Sequence, residues 1–82
     1  MARRFTAMSS DVRRYAIVVE RAERNFAAYA PDLPGCVATG ATVIEAEKLI
    51  REAIKVHIAG LREDDLLVPA PSSVVDYVEV TA

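Results

Sequence analysis

Few side chains in this sequence have the type and spacing that catalysis requires. Hydrolysis assisted by two metal ions needs carboxylates that converge until the metals lie about 4 Å apart. The middle of the first candidate strand is Ile17-Val18-Val19, with no aspartate to hold a metal. Glu20 ends that strand, Glu45 is expected in a helix cap, and Asp76 stands among valines. We therefore predict no metal site, no cofactor and no enzymatic activity.

The chain has one histidine, His57, and one cysteine, Cys36. His57 falls on the apolar face of the predicted helix, and no nucleophile or orienting carboxylate is expected beside it. A hydrogen-bonded core or interface residue is therefore favoured over a general base. Cys36 begins a strand with no helix N-terminus directly beside it, which favours a small buried hydrophobe over a nucleophile. A lone cysteine also fits a reducing, cytoplasmic environment.

Charge is unevenly distributed over the 82 residues, although the net charge is only −2. Residues 1–14 have a net charge of +3, and the remainder, with six basic and eleven acidic groups, has −5. We predict a flexible basic tail over residues 1–13 and one domain over residues 14–82. An acidic body repels phosphate backbones and suits a basic protein partner. The alternative is a nucleic-acid-binding module that uses the four N-terminal arginines: Arg3, Arg4, Arg13 and Arg14.

Three short segments have the composition of β-strands. Residues 15–20 are apolar on both faces, as in a strand that is covered on both sides. Residues 26–30 and 36–39 follow, and the charged loop between the first two segments suits a hairpin. Residues 31–35 interrupt the pattern, and their Pro34-Gly35 pair suits the centre of a type II turn, where glycine supplies a positive φ. Asp32 is expected to accept a hydrogen bond from a backbone amide within this turn.

A helix over residues 43–62 is the clearest local prediction. Thr42 and Glu45 have the spacing of a capping box. Apolar residues recur with helical period from Val43 to Leu61, and Gly60 on the same side is expected to let the helix approach the sheet closely. Residues 74–80 then read as a final strand.

The predicted order is β-β-β-α-β, an α+β domain with a small, mostly antiparallel sheet and one helix on one face. A single helix covers only one face of such a sheet. We therefore predict that the open face is a docking surface for a second copy or for another protein, and that the chain forms homo-oligomers.

Specific motifs then narrow this interpretation. The strand Tyr15-Ala-Ile-Val-Val-Glu, the run Phe26-Ala-Ala-Tyr-Ala-Pro-Asp-Leu-Pro-Gly-Cys and the helix start Thr42-x-x-Glu-Ala resemble the N-terminal domain of HicB-type antitoxins. The resemblance covers residues 14–80 and implies a partial ribonuclease-H-like fold. It further implies an antitoxin that binds and sterically neutralises a small HicA-type toxin, which cleaves mRNA. A solitary HicB-like homo-oligomer with another protein partner is the remaining alternative.

Two features depart from the family pattern. Many such antitoxins continue into a C-terminal DNA-binding domain, whereas this sequence ends at Ala82, so DNA binding is in doubt. Asp65 stands where relatives often have the glycine that ends the helix in left-handed geometry. The family-specific turn, with a Leu33 expected to be exposed, is our tentative partner-binding site. It comprises Tyr29, Pro31, Asp32, Leu33, Pro34 and Gly35.

Overall fold

The computed structural model describes residues 12–82 and contains three β-strands followed by one helix. The strands are β1 (Val18–Arg21), β2 (Phe26–Tyr29) and β3 (Val37–Gly40), and the helix is α1 (Val43–Glu63). The sheet order is β1-β2-β3, with both neighbouring pairs antiparallel. The expected α+β arrangement is confirmed for these four elements. Within residues 12–82, α1 is not apolar enough to cross a membrane, and no other helix is present there.

β1 begins three residues later than its apolar sequence predicted. Val18 pairs with Tyr29, the last residue of β2. Two residues further on is Pro31, which has no amide hydrogen to continue a β-ladder and turns the chain away. Residues 15–17 therefore have no strand partner in β2 and do not belong to a strand, although they are half-buried.

Capping hydrogen bonds define both ends of α1, through side chains at the N-terminus and through the backbone at the C-terminus. The hydroxyl of Thr42 accepts a hydrogen bond from the amide of Glu45 at 3.0 Å, and the Glu45 carboxylate accepts one from Ala41. The capping box is thus confirmed, although the second amide precedes the expected one by a residue. At the C-terminus, Leu66 donates to the carbonyl of Leu61 at 2.8 Å, and Asp65 has a φ of 56°. This is a Schellman ending, and Asp65 adopts the left-handed geometry for which relatives often have glycine.

The core lies between α1 and one face of the sheet. Its buried residues are mostly small, and Leu33 and Ile50 are the largest side chains that are fully buried. Each such side chain contributes about 1.5–3 kcal/mol of apolar burial. The buried set is Ala28, Ala30, Leu33, Cys36, Ala46 and Ile50.

Small residues allow α1 to lie close to β3. A Cβ built on Gly40 would lie 2.6 Å from the backbone nitrogen of Ala46, so only glycine fits at this crossing. The corresponding prediction for Gly60 is wrong, because a Cβ there meets no atom within 4 Å.

The final strand predicted over residues 74–80 is not part of this sheet. Residues 66–82 have neither helix nor strand, and Tyr77 and Val78 are 91% and 87% exposed. A strand forms only where a neighbour pairs with it. The preceding residues are instead bound at the end of the sheet, where Tyr15 donates to the carbonyl of Pro69 and Asp32 accepts from Ser72.

Candidate partner-binding site

Two consecutive turns form the segment between β2 and β3. The amide of Leu33 donates to the carbonyl of Ala30 at 3.0 Å, and that of Cys36 donates to the carbonyl of Leu33 at 3.1 Å. Gly35 has a φ of 84°. A proline followed by a glycine with positive φ, closed by this hydrogen bond, is a type II turn, which confirms the prediction for Pro34-Gly35.

The side chain of Leu33 points into the core. It is completely buried, so the expectation that it is exposed is wrong. The sequence alone could not show this, because Leu33 is buried in a cluster that forms only when the turn, β2 and α1 pack together. Cys36 follows it into the core and is 4% exposed. Burial raises the pKa of the Cys36 thiol, which keeps the group protonated and supports the prediction of a small hydrophobe.

Asp32 binds a distant segment rather than its own turn. Its Oδ2 accepts hydrogen bonds from the amides of Ser72 at 2.8 Å and Ser73 at 3.0 Å. Its Oδ1 accepts from the two serine hydroxyls, at 3.1 Å and 2.7 Å. These bonds, those from the two amides above all, lower the pKa of Asp32 to about 2. The expectation of an amide partner within the turn is therefore wrong, and Asp32 instead stabilises the exit of the C-terminal segment.

Apolar side chains form a row on the sheet face that α1 does not cover. The register places Tyr29 between Val18 on β1 and Val37 on β3. Tyr29 and Val18 are half-buried, whereas Val37 is 64% exposed. We call these three residues the open-face row. The exposed residues Pro31, Pro34 and Gly35 follow in the adjoining turn.

A groove of about 710 Å³ runs between α1 and the residues that lead into β1. Isoleucines line its apolar surface: Ile17, Ile50, Ile54 and Ile58. Charged residues line it as well, five basic and one acidic: Arg13, Arg14, Arg51, Lys55, Arg62 and Glu47. The sequence does not predict this groove, because the groove forms only where α1 lies mainly over β3 and leaves β1 less covered. The position of the helix over the sheet depends on contacts between distant residues, which a local sequence pattern does not show.

The candidate catalytic groups do not converge within the described chain. Glu45 is engaged in the helix cap, and Asp76 accepts from the amide of its neighbour Tyr77. Glu20 is exposed on β1. Among residues 12–82, no three groups of the histidine, cysteine, aspartate or glutamate type are grouped as metal ligands would be. This arrangement offers no site at which these residues could hold a metal ion together.

His57 is half-buried on α1 and lines a shallow groove of about 360 Å³ with Gly35, Cys36 and Val37. It therefore lies at the edge of the core, facing the turn, and not at its centre. Of the N-terminal arginines, Arg13 and Arg14 are exposed. Arg3 and Arg4, and with them most of the predicted tail, lie outside the described residues.

Comparison with known proteins identifies two similar chains. One is an uncharacterized 14.9 kDa protein from the rep-hol intergenic region of Haemophilus phage HP1, which is 36% identical over 64 residues. The alignment covers 78% of this chain and 48% of the phage protein, so this chain spans about half the length of that relative. The other is a UPF0150 protein from Helicobacter pylori strain J99, which is 34% identical over 64 residues, covering 77% of this chain and 89% of that protein.

A family model for the HicB_like antitoxin of bacterial toxin-antitoxin systems matches residues 15–81. The match includes the turn, the open-face row, α1 and the extended C-terminal segment. Since it covers far more than half of the sequence, the chain belongs to the HicB-like antitoxin family.

Proposed function

We propose that this protein is an antitoxin that binds a small HicA-type toxin and sterically prevents it from cleaving mRNA. The family match over residues 15–81 carries the proposal, because it spans the whole described domain except its first residues and last residue. Steric neutralisation acts through protein–protein contact, and this role requires no reactive side chain. The absence of converging metal ligands among residues 12–82 is compatible with such a role.

The surface that we assign to the toxin is the open-face row together with the exposed part of the adjoining turn. Val37 and Tyr29 present apolar surface on a rigid sheet, and Pro31, Pro34 and Gly35 extend it. Aromatic residues flanked by exposed apolar neighbours are typical anchors of protein interfaces. Leu33 and Asp32 belong to this site only as supports, since one is buried in the core and the other binds residues 72–73.

Electrostatics further favours a basic partner. Residues 15–82 have a net charge of −5, with acidic groups concentrated at the end of α1 in Glu63, Asp64 and Asp65. A protein that binds RNA carries basic surface, so the two fields would attract each other and accelerate association. The attraction should weaken as salt is added, since exposed charges are screened over about 10 Å at 0.1 M ionic strength.

Co-expression tests the proposal. A small basic toxin gene beside the gene for this chain is the expected source of the partner, and its product should arrest growth when it is expressed alone. The unaltered chain should restore growth and co-purify with the toxin. Val37→Asp should abolish both effects, because it places a charge on the most exposed residue of the open-face row.

Ile44→Asp is the matched control, since Ile44 is equally apolar and 78% exposed but lies on the first turn of α1. It should rescue growth as well as the unaltered chain does. Failure of the unaltered chain to rescue growth or bind an active toxin would contradict the antitoxin role. Rescue by Val37→Asp at equal expression would move the contact to another surface.

A further inference from the structure

Residues 74–80 have the sequence of a strand but no strand partner among residues 12–82. Four of their large apolar side chains are more than 80% exposed: Val74, Tyr77, Val78 and Val80. Such continuous apolar exposure is uncommon in a monomer and marks an interaction segment. The segment lies within the part of the chain that matches the family, so it is a regular part of the domain.

We propose that residues 74–80 of one copy add as a strand beside β1 of a second copy and cover the groove between β1 and α1. Two-fold symmetry would make the exchange reciprocal, so that every contact is made twice. The product is a strand-exchanged dimer. It needs no toxin and is independent of the proposed function.

The edge of the sheet is open where the proposal requires it. β1 is the first strand in the order β1-β2-β3, so its outer edge pairs with no other strand of the described chain. An uncovered edge is a template for another strand, and an extended segment that adds to it gains main-chain hydrogen bonds. Residues 15–17, which do not belong to a strand in the single chain, would extend the edge of β1 available for pairing.

The dimensions of the groove and the segment agree. The residues of α1 that line the groove run from Glu47 to Arg62, which corresponds to about 22 Å of helix at 1.5 Å per residue. Residues 74–80 as a strand span about 20 Å at 3.3 Å per residue. The groove offers four isoleucines as an apolar surface for the valines of the segment.

The positive charge of the groove favours residues 74–80 over other occupants. Five basic residues and one acidic residue line the groove, whereas residues 74–82 carry Asp76 and Glu79 and no basic group. The N-terminal residues of the same chain, with Arg3 and Arg4, would be repelled from such a groove. The attraction therefore favours the acidic C-terminal segment.

The exit of the segment is already fixed. Pro69 is bound by Tyr15, and Ser72 and Ser73 are bound by Asp32, so residues 69–73 are held at the end of the sheet. A donor segment whose base is ordered loses less conformational entropy when it binds. The exposure of residues 74–80 shows that they do not fold back onto their own domain.

Sedimentation equilibrium of the full chain, without toxin, should show a dimer at micromolar concentration. Val78→Asp should raise the dimer dissociation constant about tenfold or more, because it places a charge against the isoleucines. Leu67→Asp is the matched control, since Leu67 is 94% exposed but precedes the bound residues 69–73. Its dissociation constant should equal that of the unaltered chain.

Isotope-filtered NMR on a mixture of labelled and unlabelled chains then identifies the occupant of the groove. Intermolecular contacts between the methyl groups of Val78 and those of Ile54 or Ile58 are expected. A monomer at all concentrations, a dimer unaffected by Val78→Asp, or the same methyl contacts made only within one chain would overturn the proposal. Salt-sensitive RNA binding that Arg51→Glu abolishes, with no dimer, would assign the groove to nucleic acid instead.

Discussion

The carboxylate of Asp32 accepts two hydrogen bonds from Ser73, one from its amide at 3.0 Å and one from its hydroxyl at 2.7 Å. These residues are 41 positions apart in the sequence. With the two further bonds from Ser72, this contact joins the turn after β2 to the C-terminal segment. The most family-specific turn of the chain therefore also determines where its last ten residues leave the domain.

Asp32→Asn should release the C-terminal segment. An asparagine has one acceptor oxygen in place of two, so the variant cannot reproduce the four bonds of the carboxylate. Amide hydrogen exchange at Ser72 and Ser73 should become faster, while exchange within α1 should change little. Asp76→Asn is the control, because Asp76 accepts only from the adjacent Tyr77 and should not affect these amides. Unchanged exchange in Asp32→Asn would show that the contact does not hold the segment.

The contact between Asp32 and the two serines also makes the free energy of unfolding depend on pH. The amides of Ser72 and Ser73 lower the pKa of Asp32 from 3.8 to about 2, so the folded state favours the ionised carboxylate. The contribution is therefore complete above pH 3.8 and is lost as the pH falls towards 2. NMR titration of the Asp32 carboxyl carbon should show a midpoint near 2.

The double variant Ser72→Ala/Ser73→Ala should raise that pKa only partway towards 3.8, since the backbone amides remain and contribute most. A midpoint at 3.8 in the unaltered chain would contradict the hydrogen bonding described.

Gly40 and Gly60 should respond in opposite directions to the same substitution. In Gly40→Ala the new methyl group would lie 2.6 Å from the backbone of Ala46, so overpacking should lower the free energy of unfolding by about 1–3 kcal/mol. In Gly60→Ala the methyl group meets no atom within 4 Å. The better helix propensity of alanine should therefore raise the free energy of unfolding by up to about 1 kcal/mol. Urea denaturation of both variants measures the difference. Equal effects would contradict the close approach of α1 to β3.

Asp65→Gly should stabilise the end of α1. Asp65 adopts a φ of 56°, a conformation that glycine reaches without the steric cost that a Cβ carries. We expect the free energy of unfolding to rise by roughly 0.5–1 kcal/mol, measured by urea denaturation. Asp64→Gly is the control, because Asp64 has a φ of −91° and gains nothing from glycine. A loss of stability in Asp65→Gly would contradict the left-handed ending.

The sequence predicts those features whose causes are local. The capping pair Thr42 and Glu45 and the Pro34-Gly35 turn each depend on residues within a few positions, and the structure confirms them. The surroundings of Leu33, Gly40 and Asp32 depend on how α1 and the C-terminal segment pack against the sheet, which no local pattern predicts. Leu33 belongs to the same buried cluster as residues of α1, Gly40 lies against the backbone of Ala46, and Asp32 binds residues 72–73.

The strand expected over residues 74–80 illustrates a different limit. Its β-branched and aromatic residues are typical of a strand, but a strand also requires an edge to pair with. The pattern shows that residues 74–80 can form a strand but does not show which strand they pair with. The sequence also does not predict the groove beside β1, because the groove arises from the position of α1 over the sheet.

The most direct test of the antitoxin role is a titration of toxin activity with the purified chain. The toxin from the neighbouring gene should cleave an mRNA substrate, and cleavage should fall to zero at a fixed molar ratio of the added chain. Val37→Asp should need far more protein to reach the same inhibition, whereas Ile44→Asp should match the unaltered chain. Undiminished cleavage by an active toxin in the presence of excess unaltered chain would contradict the account.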